Sequence, residues 1–327
     1  MRANRWCENT EVCSAPKFVI AFLKICPTGM ETIAIELANL LLDKLRLVPN
    51  EPELQPAPRI LVAICGVPAS GKTTLALRVT ELVNSKYGSV SMMCSYPGTC
   101  KQRSQLGDLL RCPYHQDPKG REVAICVSQD GWHLPRSALD QMDDPKLAHD
   151  RRGAAFTFDG GAFAKFVLSL RNNSVESTIV DAMPDETSNQ EDTALAYRAT
   201  KAESILYAPS FSHTLKDPTE NAIAIHPHHR VVIIEGLYSF LSIEPWREAS
   251  LVMDERWFVD ADKTIAKDRL VRRHVVTGVA KDLEEAEWRA ENNDIPNGEF
   301  LKEHMLQPTR VIQSVKDTTI ASHGRIE

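Results

Sequence analysis

The chain has 327 residues, and a prior of ~150 residues per domain makes that roughly two units. A hydrophobic share of 43% is enough for a packed core and excludes disorder for the bulk of the chain. Its 38 basic and 44 acidic residues leave a net charge of −6 and a pI near 6.0, which speaks against a dedicated nucleic-acid binder but not against small anionic ligands.

In chain order, residues 1–48 read as a helical N-terminal extension. The basic residues Arg2, Arg5, Lys17 and Lys24 are interrupted by Glu8 and Glu11, which a mitochondrial transit peptide avoids. The apolar run at 18–23 is too short for a secretory signal and far short of the ~20 residues that span a bilayer. The expectation is a reducing, cytoplasmic location without a membrane anchor, mitochondrial import being the second choice. Eight irregularly spaced cysteines fit that reading, since they make no disulfide framework in a chain of this length. Thr28-Gly29-Met30-Glu31 has the pattern of a capping box, and Ile33, Leu37, Leu40, Leu41 and Leu45 follow at helical spacing. That stripe must pack on something; lacking any motif, the segment is expected to be dispensable for chemistry. Four prolines then make 49–58 a stiff linker.

Beyond it, 59–327 reads as one domain of alternating strands and helices. Strands are expected at 60–65, 123–127, 231–234, 257–259 and 311–312. Helices are expected after the first strand, at 162–170 and at 263–276, with Gly278 ending the last and Asp282 with Glu285 capping another. Such βαβ alternation means a parallel sheet with helices on both faces. Cys65 and Cys126 fall in strands as small hydrophobes. Residues 91–120 break the pattern and read as an inserted loop. Its Cys94, Cys100, Cys112 and His115 do not have the spacing of paired zinc knuckles, so no zinc is expected.

The chemistry starts at Gly66-Val67-Pro68-Ala69-Ser70-Gly71-Lys72-Thr73, a phosphate-binding loop (Walker A) lying between a strand and a helix. Backbone N–H groups of such a loop surround phosphate oxygens, and the helix N-terminus adds partial positive charge. Lys72 is expected on the β/γ-phosphates and the Thr73 hydroxyl on Mg²⁺, with Thr74 beside them. Glu235-Gly236 ends a buried strand, where a carboxylate can serve the Mg²⁺ shell. No Asn-Lys-x-Asp tetrad for guanine follows, and the Asp-Glu pair of AAA-type ATPases is absent. Asp130 also ends a strand, within Ser128-Gln129-Asp130-Gly131-Trp132-His133. In a parallel sheet that places it near the phosphate loop, where it can take a hydroxyl proton. An Asp-Gly turn with no chemistry remains the plain alternative.

Phosphate loop, Asp-Gly-aromatic-His, Arg152-Gly153 with Phe158-Asp159, residues 209–213 and Glu235-Gly236 occur here in one order. That order resembles the phosphoribulokinase/uridine kinase family of P-loop small-molecule kinases. The tract 130–159 is most similar to its branch of fungal ATP-dependent kinases and bacterial sugar-kinase-like proteins. The resemblance implies a P-loop NTPase fold with a five-stranded parallel sheet of order 2-3-1-4-5 and a helical lid. It implies an ATP- and Mg²⁺-dependent kinase that phosphorylates a hydroxyl of a small nucleoside-, sugar- or pantothenate-like alcohol. By position, Asp130 would be the base, with Trp132, His133, Arg152, Phe158 and His213 lining the acceptor pocket. Arg269 and Arg273, one turn apart on a helix, would bring lid charge to the phosphoryl group. Gln129, Trp132 and Ser212 depart from the residues usual at those places. A nucleotide-hydrolysing regulator and a catalytically silent nucleotide-binding scaffold are the alternatives; a base facing an acceptor pocket favours the kinase over both.

Overall fold

The computed structural model describes residues 29–48, 58–94, 122–172, 205–212 and 214–315. Strand β1 (Ile60–Gly66) is buried along its whole length. Because successive side chains alternate, Leu61, Ala63 and Cys65 enter one core and Ile60, Val62 and Ile64 the other. Around β1 lie β2 (Ala124–Ser128), β5 (Val231–Glu235), β6 (Glu255–Asp260) and β7 (Arg310–Gln313), all paired in parallel. Their spatial order is β2-β5-β1-β6-β7. Within the sheet alone this is the expected 2-3-1-4-5. The difference in detail is an added antiparallel ribbon, β3 (Leu206–Ser212) with β4 (Asp217–Ile225), which the sequence pattern does not announce.

Helices α1 (Met30–Leu47) and α2 (Lys72–Cys94) cover one face. Helix α3 (Gly160–Asn172) covers the other; beneath it Trp132 meets Phe163, and Phe158 meets Trp246, edge to face, while Phe163 and Trp246 are tilted. Thr28 of the expected capping box lies outside the described residues, and Gly29 stands at the N-cap of α1 without a side-chain hydrogen bond. Glu31 grips Arg78 of α2 through two bonds of 2.9 and 2.6 Å. Both ends of α1 are tied down, since Lys44 pairs with the buried Glu255 at 2.8 Å. Helix α4 (Lys263–Val276) has its expected bounds, and Gly278 follows it in the left-handed region at φ 67°. Asp282 caps α5 (Leu283–Arg289) by accepting the Glu285 N–H, while the Glu285 carboxylate accepts the Lys281 N–H. A π-turn (Ala290–Asp294) joins α5 to α6 (Ile295–His304). Most of the expected insertion, with Cys100, Cys112 and His115, lies outside the described residues. Among these residues no helix is long and apolar enough to cross a membrane.

Candidate active site

Every strand of the sheet points its C-terminal end the same way, so the loops that follow β1, β2 and β5 meet at one edge. The loop after β1 turns through left-handed backbone at Ala69 (φ 61°) and Gly71 (φ 92°), the second a conformation in which any Cβ would be strained. Ser70 is fully buried within it, and its hydroxyl finds no partner among the described residues. The loop opens into a cavity of about 330 Å³ lined by residues 69–75, Met30, Ala34, Arg78, Arg269, Arg273, Ser314 and Val315. Val67 and Pro68 turn the other way, toward Gly298 of α6, so only their backbone can serve a nucleotide.

Thr73 Oγ1 donates to Glu235 Oε2 at 2.9 Å. Glu235 is 4% exposed, and burial pushes its carboxyl above the ordinary carboxylate range; the Lys72 ammonium and the Thr73 and Ser128 hydroxyls pull the other way. The nearby Asp130 carboxylate adds to the upward push, placing two acids and one lysine in a single electrostatic cluster. A hydroxyl and two carboxylates at the mouth of a phosphate loop are the hard oxygen donors that suit Mg²⁺. Asp130 sits in a 3-10 turn (Gln129–Trp132) capped by Ser128, whose Oγ accepts the Asp130 N–H. Its carboxylate has neither hydrogen bond nor ion pair among the described residues.

The expected acceptor-pocket residues divide. His133 lies between the rings of Phe158 and Phe211, at 4.0 and 4.9 Å. Phe158 and Trp132 are buried core aromatics whose rings support the site from beneath. Arg152 is committed to structure: it donates to the carbonyls of Lys216 and Leu134 and pairs with Asp217 at 3.0 Å. His213 lies outside the described residues. Of the two lid arginines, Arg269 donates to Ser314 Oγ and to the Val315 carbonyl at 3.0 and 3.1 Å, which holds it at the C-terminal wall of the cavity. Arg273 lines the same cavity, and its guanidinium has no partner among the described residues.

The sequence matches an ATP-dependent kinase-like protein, notR' of Aspergillus versicolor, at 41% identity over 177 residues, 54% of this chain and 88% of that protein. It belongs to the phosphoribulokinase/uridine kinase family, in the fungal ATP-dependent kinase branch. Another relative is the ATP-dependent kinase YFH7 of Vanderwaltozyma polyspora, 31% identical over 61% of this chain and 59% of its own length. The crystal structure of YFH7 from Saccharomyces cerevisiae superposes with a TM-score of 0.62 at 21% identity, covering 89% of this chain and all of that one, which supports the fold. No protein-family model matches the chain.

Within this kinase fold, sequence reasoning missed Gln129, Tyr238, Phe211 and Asp217 as builders of the site. The Gln129 carboxamide oxygen accepts the Tyr238 N–H at 2.8 Å, and a Cβ on Gly236 would come 2.4 Å from the Gln129 Cβ. That contact is why a glycine must follow Glu235. The Tyr238 hydroxyl in turn donates to the Gly153 carbonyl at 3.0 Å, linking the end of β5 to the Arg152 segment. A buried glutamine beside two acids is a usable signal; Phe211 and Asp217 lie on a ribbon with no clear pattern.

Proposed function

We propose that this chain transfers the γ-phosphoryl group of ATP to a hydroxyl of a small metabolite, of nucleoside-, sugar- or pantothenate-like character. The observation that supports it most is the unpaired Asp130 carboxylate, set at the same sheet edge as Lys72, Thr73 and Glu235. The relatives' names, ATP-dependent kinase and ATP-dependent kinase-like protein, point to the same donor.

In this reading the backbone of 66–73 and the Lys72 ammonium hold the phosphates. Thr73 and Glu235 would hold Mg²⁺, which neutralises phosphate charge when bound. Asp130 accepts the proton of the acceptor hydroxyl as its oxygen bonds to the γ-phosphorus. The bond from that phosphorus to the bridging oxygen breaks, and ADP leaves with the electron pair. Arg273 has a guanidinium free to approach the charge that develops, whereas Arg269 acts through the C-terminal wall.

The test is acceptor-dependent ADP release across a panel of alcohol metabolites, on the wild type and two variants. Asp130→Asn should keep ATP affinity and lose about 10²–10⁴-fold in turnover, the usual range for removing a positioned base. Lys72→Ala should lose both. Equal acceptor-dependent rates for wild type and Asp130→Asn would reject the assignment, and hydrolysis indifferent to every acceptor would favour a regulator.

A further inference from the structure

Helix α1 has no motif, yet its first two turns reach the phosphate-loop cavity. Met30 and Ala34 line that cavity together with Thr74, Leu75 and Arg78 of α2. Helix α2 begins at the phosphate loop, and the six steps from Lys72 to Arg78 advance about 9 Å along its axis. The wall they build leads away from the phosphate end by roughly the distance that separates phosphates from a nucleoside base. At its far end stands the ion pair of Arg78 with Glu31, which fixes the start of α1 there. The opposite wall is Arg269, Ser314 and Val315, whose polar atoms largely satisfy one another. What remains at that end is mostly apolar: the Met30 thioether, the Ala34 methyl and the Val315 side chain. A flat heterocycle gains from such surfaces, and a sulfur against an aromatic ring is a favourable contact.

We propose that Met30 forms one face of the nucleoside-base site, so that the N-terminal helix is part of the nucleotide pocket and sets how strongly the base contributes to binding. The assignment rests on the nucleotide reading given above. It replaces the expectation that the segment is dispensable.

Calorimetric titration of the full chain with ATP and, separately, with tripolyphosphate, both with Mg²⁺, tests it. Tripolyphosphate has the phosphates and no base. Met30→Ala, which removes the apolar side chain under the base, should weaken ATP about 5–10-fold and leave tripolyphosphate within about 2-fold. Met30→Leu, which keeps the volume, should stay close to wild type for both probes. Glu31→Gln loosens the clamp on Arg78 and should show a smaller loss confined to ATP; it decides the matter if Met30→Ala fails to fold. Unchanged ATP binding in Met30→Ala, or equal weakening of both probes, would overturn the assignment. A wild-type chain that binds neither probe would instead overturn the nucleotide reading, and the base wall with it.

Discussion

Glu235 serves two opposed demands. The proposed function asks for a carboxylate beside Thr73 and Lys72, while burial at the end of β5 disfavours its charge. Burial prevails, since its carboxyl lies above the ordinary range in the folded protein. The sign for stability follows. A raised acid favours the folded state while protonated, so this contribution is complete at low pH and is lost as pH rises through the raised value. Without nucleotide, Glu235→Gln should therefore melt higher than wild type near pH 8, and the gap should close toward pH 4. The same variant should lose phosphoryl transfer, trading activity for stability. Melting curves at the two pH values check this, and a wild type that melts higher at pH 8 would mean that Lys72 outweighs desolvation. The residue was legible in sequence as an acid ending an apolar run. Its burial was not, because a string of letters does not show what packs over a strand end. The burial of Trp132 and Phe158 was hidden in the same way, since an aromatic near a motif looks alike whether it lines a pocket or supports one.

At the scale of elements, the pieces with one buried stripe or two buried faces were readable, and the pieces without were not. Strand β1 and helix α4 emerged with nearly their observed bounds because their patterns repeat the geometry of the core. The β3–β4 ribbon stayed hidden because residues 219–222 of β4 are exposed in a row and the strand holds Asp217, Pro218, Glu220 and Asn221. Only Ile225, with Ile223 beside it, reaches the core, which is too little for a period to show. The ribbon's attachment combines Ala208 and Ile225 in the core with Arg152, which spans two carbonyls and the Asp217 carboxylate. Arg152→Ala leaves those acceptors short of a charged donor, and such bonds contribute about 1.5–3 kcal/mol each. The expected outcome is a drop in stability of about 2 kcal/mol, with KM for the acceptor raised and ATP affinity kept. Arg152→Lys should recover little, because an ammonium cannot reproduce the guanidinium fork. Denaturant midpoints and KM for both co-substrates measure it; an unaltered acceptor KM would free the ribbon from any part in the acceptor site.

Across the whole molecule, cohesion is uneven in a way that suits a kinase. Two large cores flank the sheet, whereas α5 and the π-turn share only a small satellite core of Leu270, Val271, Ala280, Ala286 and Ala290. Two large apolar side chains of α5, Leu283 and Trp288, are more than half exposed. Polar links join this unit to the rest: His274 with Asp294 at 2.9 Å, Lys267 with Glu291 at 2.7 Å, and Asn293 donating to the Arg152 carbonyl at 3.0 Å. A unit held chiefly by polar contacts opens at lower free energy than one held by a packed core, and water must be kept from a transferring phosphoryl group. Should closure accompany the proposed transfer, residues 277–294 are the segment expected to move, with Arg273 one turn before its start. In hydrogen exchange, amides of α5 should exchange at least about 10-fold faster than those of β1 and β5 in the free protein. Adding a non-hydrolysable ATP analogue with the acceptor should slow α5 while leaving the strands unchanged. The link from Asn293 to Arg152 runs on to the ribbon at the proposed acceptor pocket, so the analogue alone should protect α5 less than the pair. Equal protection of α5 and the strands in the free protein would show that this segment is rigid, and closure would then have to be sought elsewhere.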